Sequence, residues 1–446
     1  MKTILFYVLL IILSAFAQSN KTWDLFNRDN SPLSSNETAS LYANKNGIYW
    51  FITGLERVDS TTVFDGYLHR FHNGEWTIFN NENSPLDRNI VQDIAETTDG
   101  KLLIATSRGL YIKANNSWDS LNTSNSSLPH NLIFKVSVDR LNRYWLGIPN
   151  YGCAVYAEGN WTFHNDQNAF NGIGDLNFIE VDSLNNIWVG TDFYGLYSFD
   201  GNNWVNRIQG FCSGGVWQPI VGLAIDSRNQ KWVSINQQGG GGRIAKSLDD
   251  TSFVYYENTD IGFSFSLLSY DGAVVDRKDI KYFGTTDGLL RYDDANWTRI
   301  DTLNSPIHGN WFRVGFVDSK NNKVFGLSSF TPPRNDYGIA FYNEDGVVVT
   351  SVRDNSNVLY DYKLYQNYPN PFNPRTRIKY SIPISGIVEM KIYDMLGSEI
   401  STLFNEHKQA GDYEIEFDAS ALPSGIYFYK MTSRSHSDAK KMIILR

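Results

Sequence analysis

The chain has 446 residues, too many for one ordinary domain and enough for a large core with an appendage. Its 12 Trp, 26 Tyr and 27 Phe stand in short apolar runs separated by Gly, Asn and Ser, which favours many short strands and tight turns over helices. A formal charge of −9 argues against a nucleic-acid binder, which needs basic patches to neutralise phosphates.

In chain order, residues 1–17 read as a signal peptide, with Lys2 as the positive start, an apolar run from Ile4 to Leu13, and Ala15-Phe16-Ala17 as a small-x-small cleavage site. That run is shorter than the roughly 20 residues a spanning helix needs. No Cys follows the cleavage site to carry a lipid, and no later segment reads as a membrane span. The mature chain is expected to begin near Gln18 and to leave the cytoplasm. Cys153 and Cys212 are allowed a bridge in an oxidising compartment, but two Cys make no framework, and two unpaired buried thiols are the preferred reading.

From Trp23 onward the sequence repeats. A Trp closing a Gly/Asn turn recurs at Trp76, Trp118, Trp161, Trp204 and Trp297; the first four are 42, 43 and 43 residues apart, and the last gap of 93 is two periods with an insertion. A second marker runs in phase. It starts with Trp50-Phe51-Ile52-Thr53, continues from Leu103, Trp145, Trp188, Trp232 and Tyr282, and ends with Val324-Phe325-Gly326-Leu327, giving seven copies. Each copy resolves into four short strands; in copy four these are Phe178 to Asp182, Ile187 to Thr191, Gly195 to Phe199 and Trp204 to Arg207. Four antiparallel strands in ~40–45 residues make a propeller blade. The expected fold is all-β, a seven-bladed β-propeller over residues 18–352, with Leu55 to Asp65 and Asn236 to Gly242 as insertions within blades. Trp23 to Asn27 resembles the outermost strand at Trp76 to Asn80 and can close the ring; Val347 to Ser351 competes for that place.

Motifs that carry chemistry are absent, so the reading assigns no catalytic residue, no metal and no cofactor. His69 and His72 fall on opposite faces of a strand and read as surface or turn residues. Asp139, Asp182, Asp226 and Asp318, each with Asn three residues on, lack a full calcium-ligand set and read as hairpin turns. The loops joining second to third strands, and one blade to the next, share a propeller face. They carry Arg108, Tyr151, Phe193, Tyr194, Phe211, Trp217, Gln237, Asp287 and Arg334. Flat aromatics with amide and charged partners suit sugar rings, although the same residues can pack between blades. Asp87, Asp175, Asp192 and Asp287 can reach this face too, which keeps a carboxylate-pair glycosidase open. The expected function is a non-enzymatic ligand-binding protein, with carbohydrate the favoured ligand. The alternatives are a polysaccharide-degrading lyase or glycosidase, or a protein–protein adhesin.

A polar linker over residues 353–359 precedes a second unit over 360–446. It opens on the Pro-rich Asn367-Tyr368-Pro369-Asn370-Pro371-Phe372-Asn373-Pro374 and continues in alternating strands marked by Ile378/Tyr380/Ile382, Val388/Met390/Ile392, Tyr413/Ile415/Phe417 and Ile426/Phe428. A small Ig-like β-sandwich is expected.

Two resemblances stand on these residues. The repeats, over about residues 23 to 350, resemble the two-component regulator propellers in the Asn-Ser-Pro-Leu segments at Asn30 and Asn83, the stretch from Asp182 to Thr191, and the following Gly195-Leu196-Tyr197. That family's propellers form extracellular sensing regions; without the membrane helix and kinase of a sensor, signalling is not carried over. Residues 360 to 446 closely resemble the type A C-terminal sorting domain of the type IX secretion system. The likeness lies in the Asn367 to Pro374 segment, Tyr393-Asp394-Met395-Leu396-Gly397, Ala410-Gly411, Leu422 with Ser424-Gly425-Ile426-Tyr427-Phe428-Tyr429, and Lys440-Lys441-Met442. Asp418-Ala419-Ser420 departs from the Asp-Gly of many members. The resemblance implies the type IX machinery and a surface-attachment enzyme as partners, and delivery to the outer surface or the medium.

Overall fold

The computed structural model describes residues 22–445, apart from 29, 54–55, 59–60, 64–66, 81–82, 87–90, 171–173, 212–214, 308, 329–337, 348, 350–362, 383–385, 409–410 and 434–435. The expected signal peptide, the linker, Asp87, Cys212 and Arg334 therefore lie outside the described residues, as does most of Val347 to Ser351.

Seven four-stranded antiparallel sheets follow one another along the chain. Their first strands are Thr38–Ala43, Val91–Glu96, Lys135–Val138, Leu176–Val181, Ile220–Ile225, Leu268–Val275 and Trp311–Val317. Each packs against the first strands of both neighbours, the last against the first, so these seven ring the axis. The second strands hold the in-phase sequence marker. Ile187–Thr191 is buried at every position because it has a strand on either side and a blade on either face. Trp145, Trp188 and Trp232 are fully buried between blades.

The ring is closed by the N-terminal strand. Trp23–Phe26 runs antiparallel to Ile339–Tyr342, Trp23 opposite Tyr342 and Phe26 opposite Ile339, and supplies the outer strand of the seventh blade. Trp23 stacks on Tyr342 at 4.4 Å. A glycine geometry marks the same closure. Gly195 opens a third strand at φ 100°, where a Cβ would lie 1.9 Å from the carbonyl oxygen of Ile208 on the fourth. At Gly338, φ 155°, the carbonyl met at 2.0 Å belongs to Phe26. The N-terminal strand thus approaches as a fourth strand does in an unbroken blade.

Turns between first and second strands form one face of the ring, and they are hydrogen-bonded in series. Asp139, Asp182 and Asp226 each accept from two backbone N–H groups of their own turn and from the indole of the Trp six residues on, at 3.0, 3.1 and 3.3 Å. The Asn three residues on has positive φ, and its Oδ1 accepts a backbone N–H from the preceding blade. These bonds are Thr98 to Asn142 at 3.0 Å, Arg140 to Asn185 at 2.8 Å, Ser183 to Asn229 at 3.0 Å, Ser227 to Asp279 at 2.9 Å, and Arg277 to Asn321 at 2.8 Å. The Asp/Asn pairs are hairpin turns and also the clasp between blades 2 to 7. Between blades 4 to 7, buried lysines reinforce it. Lys231, Lys281 and Lys323 lie over Trp188, Trp232 and Tyr282 of the preceding blade and pair with Asp182, Asp294 and Asp276 at 3.2, 2.5 and 3.3 Å.

One reading changes in the propeller. His69 is not a surface residue: it is fully buried, with Nε2 2.7 Å from the Thr53 hydroxyl, and burial pushes its pKa down to about 3. Cys153 is buried and free, in line with the preferred reading. Between blades 5 and 6 the chain makes one helical turn, Asn258–Ile261. The insertion at Leu55 to Asp65 holds a small hairpin, Glu56–Val58 with Thr61–Val63.

The C-terminal residues form two facing sheets, one of Lys363–Leu364, Arg375–Ile382 and Gly411–Asp418, the other of Glu399–Lys408, Gly386–Tyr393, Gly425–Ser433 and His436–Ile444. One core joins them, with Ile378, Tyr380 and Phe417 from the first and Met390, Tyr429 and Met442 from the second. In Gly425–Ser433 the inward face is Tyr427, Tyr429 and Met431; Phe428, read as core from the alternation, points outward. The Pro-rich segment is pinned to this sandwich. Tyr429 Oη accepts the Asn367 N–H at 2.7 Å, Asn367 Nδ2 donates to Thr376 Oγ1 at 2.9 Å, and Phe372 is buried in the core.

Candidate functional site

On the face opposite the turn clasp, blades 4 to 6 bring the aromatics together. The connection into blade 5 is drawn in at its base, where Gln218 N–H donates to the Gly210 carbonyl at 2.8 Å and Phe211 bridges Trp217. This sets Trp217 against Phe193 of blade 4, the rings stacked 5.1 Å apart at 16°. The Trp217 indole donates to the Asp192 carbonyl and locks the pair. Phe193 remains 44% exposed and Trp217 is half-buried, with Phe211 48% exposed beside them, so the stack is a shelf with Phe193 at its solvent edge.

Beside the shelf lie two carboxylates. Asp192 N–H donates to the Asp175 carbonyl at 3.3 Å, and Asp192 Oδ1 accepts from Asn177 Nδ2 at 2.9 Å and Tyr270 Oη at 3.4 Å. One carboxylate oxygen of Asp175 is buried with no hydrogen-bond partner. Burial and then the charge of Asp192 hold the Asp175 carboxyl above its usual range. Burial and Asp192 likewise push the Tyr270 hydroxyl up to about 12.

The other rim residues fare differently. Tyr194 is half-buried against its own blade, and Tyr151 packs on blade 3 with its ring 6.1 Å from Phe163. Arg108 is exposed at its turn in blade 2, two blades before Phe193. Gln237 serves its own turn through its backbone, while the next residue, Gln238, donates its N–H to the Trp217 carbonyl at 3.0 Å. Asp287 is engaged by Ser266 N–H at 2.7 Å and the Thr286 hydroxyl at 2.9 Å.

Sequence reasoning missed Tyr270 and Asp271. Leu268 and Ala273 pair with Thr285 and Phe283, so four residues of the first strand stand opposite one of the second. This bulge turns at Asp271, φ 51°, and carries Tyr270 to the shelf and Asp271 across to Lys135 of blade 3, an ion pair spanning the axis. Tyr270-Asp271-Gly272 inside a first strand was the available signal, since Asp-Gly belongs in turns. Glu180 lines the same axial space; crowding by the protein, then Asp271 and Asp93, keep its carboxyl well above the usual range. At the clasp end of the axis a recess of about 420 Å³ includes Asp226, Asp276 and Asp318. Those carboxylates are committed to turn hydrogen bonds, so the recess is architecture. Among the described residues no helix is long and apolar enough to cross a membrane.

Comparison with known proteins supports both halves of this architecture. No curated protein matches the sequence. Among solved structures, the chain is similar to PorZ, an essential bacterial surface component of the type IX secretion system of Porphyromonas gingivalis (15% identity, TM-score 0.55, covering 93% of this chain and 60% of that one). It is also similar to the extracellular domain of a hybrid two-component system of B. thetaiotaomicron (14%, 0.54, 96% and 60%) and to virginiamycin B lyase of Staphylococcus aureus (10%, 0.53, 72% and 98%). The chain spans about 60% of the length of the first two, and at these identities the likeness is one of fold. Residues 366–445 match the family described as secretion system C-terminal sorting domain, which indicates export to the cell surface or the extracellular space. The chain is therefore a β-propeller carrying a type IX secretion system C-terminal sorting domain at its C-terminal end.

Proposed function

We propose that the propeller is a surface or released ligand-binding module, and that it takes carbohydrate on the Phe193–Trp217 shelf. One observation carries this reading: Phe193 is left 44% exposed, stacked on a half-buried Trp217 whose indole is fixed by a hydrogen bond, beside carboxylates able to accept from hydroxyl groups. A sugar ring lays its C–H face on such a shelf, and Asp175 and Asp192 take its hydroxyl protons. The sorting domain supplies the address, and residues 18–352 and 360–446 act as separate units.

Purified protein screened against a polysaccharide panel should retain a glycan without turning it over. Trp217→Ala should weaken that retention about tenfold or more, as for a buried-edge aromatic anchor, with the melting temperature unchanged. Failure of every glycan to bind would favour a protein partner instead. The raised carboxyl of Asp175 beside Asp192 favours a second reading, a glycosidase. New reducing ends that disappear in Asp175→Asn would establish it.

A further inference from the structure

The sorting domain has one end whose surface its own fold does not use. In the four-stranded sheet, Ile392, Tyr427, Tyr429, Met442 and Ile444 face the core, so the residues between them face out. Register places Tyr393 opposite Phe428, and Ile426 opposite Ile443. Just beyond them is the hairpin tip with Met395 and Leu396, 67% and 90% exposed. Six apolar side chains thus gather at one end of an outward face. Further along the same strands that face carries Glu389, Lys391, Lys430 and Thr432, the composition of an ordinary wet surface.

The Pro-rich segment is fastened to this end. Asn370 Oδ1 accepts the Ile443 N–H at 2.9 Å, its Nδ2 donates to the Lys441 carbonyl at 3.2 Å, and Phe372 bridges Ile444. Tyr368 stands 82% exposed from it. Lys441, exposed opposite Phe428, has no ion-pair partner among the described residues, whereas Lys440 pairs with Asp438 at 3.5 Å.

We infer that this end is the surface by which the export machinery reads the domain, and that the reader offers an apolar groove with an acidic rim. A sorting domain has to be recognised from outside, and a contiguous apolar patch that folding does not bury marks a contact. The unpaired Lys441 sets the charge of the rim. Two of the segments that carry the resemblance, the Pro-rich run and Gly425 to Tyr429, meet at this end, where Phe372 bridges Ile444 and Ile444 pairs with Gly425.

The test uses the full chain in a host with this secretion system, comparing protein outside with protein retained. Met395→Ser with Leu396→Ser, and separately Phe428→Thr, should lower the exported fraction about tenfold or more, with folded protein accumulating inside. Lys441→Glu, a fully tolerated surface change should either of those misfold, should lower it about threefold. Lys430→Thr, the next outward position along the same strand, should export normally. Export of the folded variants at the parental level overturns the inference. So does an equal loss in Lys430→Thr, or a dimer in solution that these substitutions dissolve, since the patch would then serve self-association.

Discussion

The two faces of the propeller keep the repeat to different degrees. On the clasp face, blades 3 to 7 each place an acid at the start of the turn and an Asn or Asp at positive φ three residues later, and every such residue holds its neighbour. On the opposite face some connections repeat, as the Thr106–Gly109 and Thr285–Gly288 turns and those opened by Asn80, Asn122 and Asp301 do, and the departures gather where Phe193, Trp217, Asp175 and Tyr270 meet. A repeat retains what all blades need for packing; what one location needs appears as a break in the repeat. Substitutions on the clasp face should therefore change stability and leave ligand affinity alone, and those on the shelf the reverse.

The largest effect is expected at Asp182. Its fully buried carboxylate accepts from Leu184 N–H, Asn186 N–H, Asn186 Nδ2 and the Trp188 indole, and it pairs with Lys231 of the next blade at 3.2 Å. Asp182→Ala strands the indole and leaves Lys231, 1% exposed, with Asp250 alone. A loss of about 3–5 kcal/mol in urea unfolding is expected, in line with breaking a buried pair from one side. Glycan affinity of the remaining folded protein should stay at the parental value. A loss of affinity in step with stability would mean that the two faces are coupled.

Acid should expose the same clasp. Burial pushes Glu344 up, but hydrogen bonds from Lys323 and Tyr282 outweigh it and hold the carboxyl at about 2, below its ordinary 4.5. A depressed folded pKa means that the unfolded chain binds the proton more readily, so stability is present above 4.5 and is lost as pH falls toward about 2. Glu344→Gln should flatten that part of the stability–pH curve. An unchanged slope between those pH values would show that Glu344 is not the group that titrates.

The seven blades were legible because the second strand of each copy is buried on both faces and must stay apolar. Closure was only half legible, since Trp23 to Asn27 and Val347 to Ser351 are equally strand-like; the register of Trp23–Phe26 on Ile339–Tyr342 decides it. The clasp was read as isolated turns. That Asn142, Asn185 and Asn229 reach into the preceding blade is invisible until blades are stacked, and Asp279 escaped because Asp replaces Asn there. Within the site, Phe193 and Trp217 were legible as aromatics placed in loops. Tyr270 was hidden by its place in a strand, and His69 was misread because the Thr53 and Ser34 hydroxyls that meet its Nε2 come from elsewhere in the sequence. In the sandwich, alternation alone offers Ile426/Phe428 or Tyr427/Tyr429 as the inward set. Tyr429 is inward because its hydroxyl donates to the Tyr365 carbonyl at 2.7 Å, a bond no periodicity reveals.

The smallest effect separates the two functions of a clasp residue. Asn185 holds φ 67°, and its Oδ1 accepts the Arg140 N–H of the preceding blade at 2.8 Å. Asn185→Gly removes that acceptor but suits the backbone, so a loss of about 1 kcal/mol or less is expected. Asn185→Ala removes the same bond and keeps the Cβ that Asn already holds at positive φ, so it should cost roughly 1 kcal/mol more than the Gly variant. The difference between the variants measures backbone strain, and the Ala variant, with the Cβ unchanged, measures the inter-blade bond. Chemical denaturation resolves both, and glycan retention should be equal in all three proteins. If Gly and Ala cost the same, strain does not contribute at this turn. If Ala costs nothing, the bond to Arg140 is exchanged for water and the clasp holds through its buried acids alone.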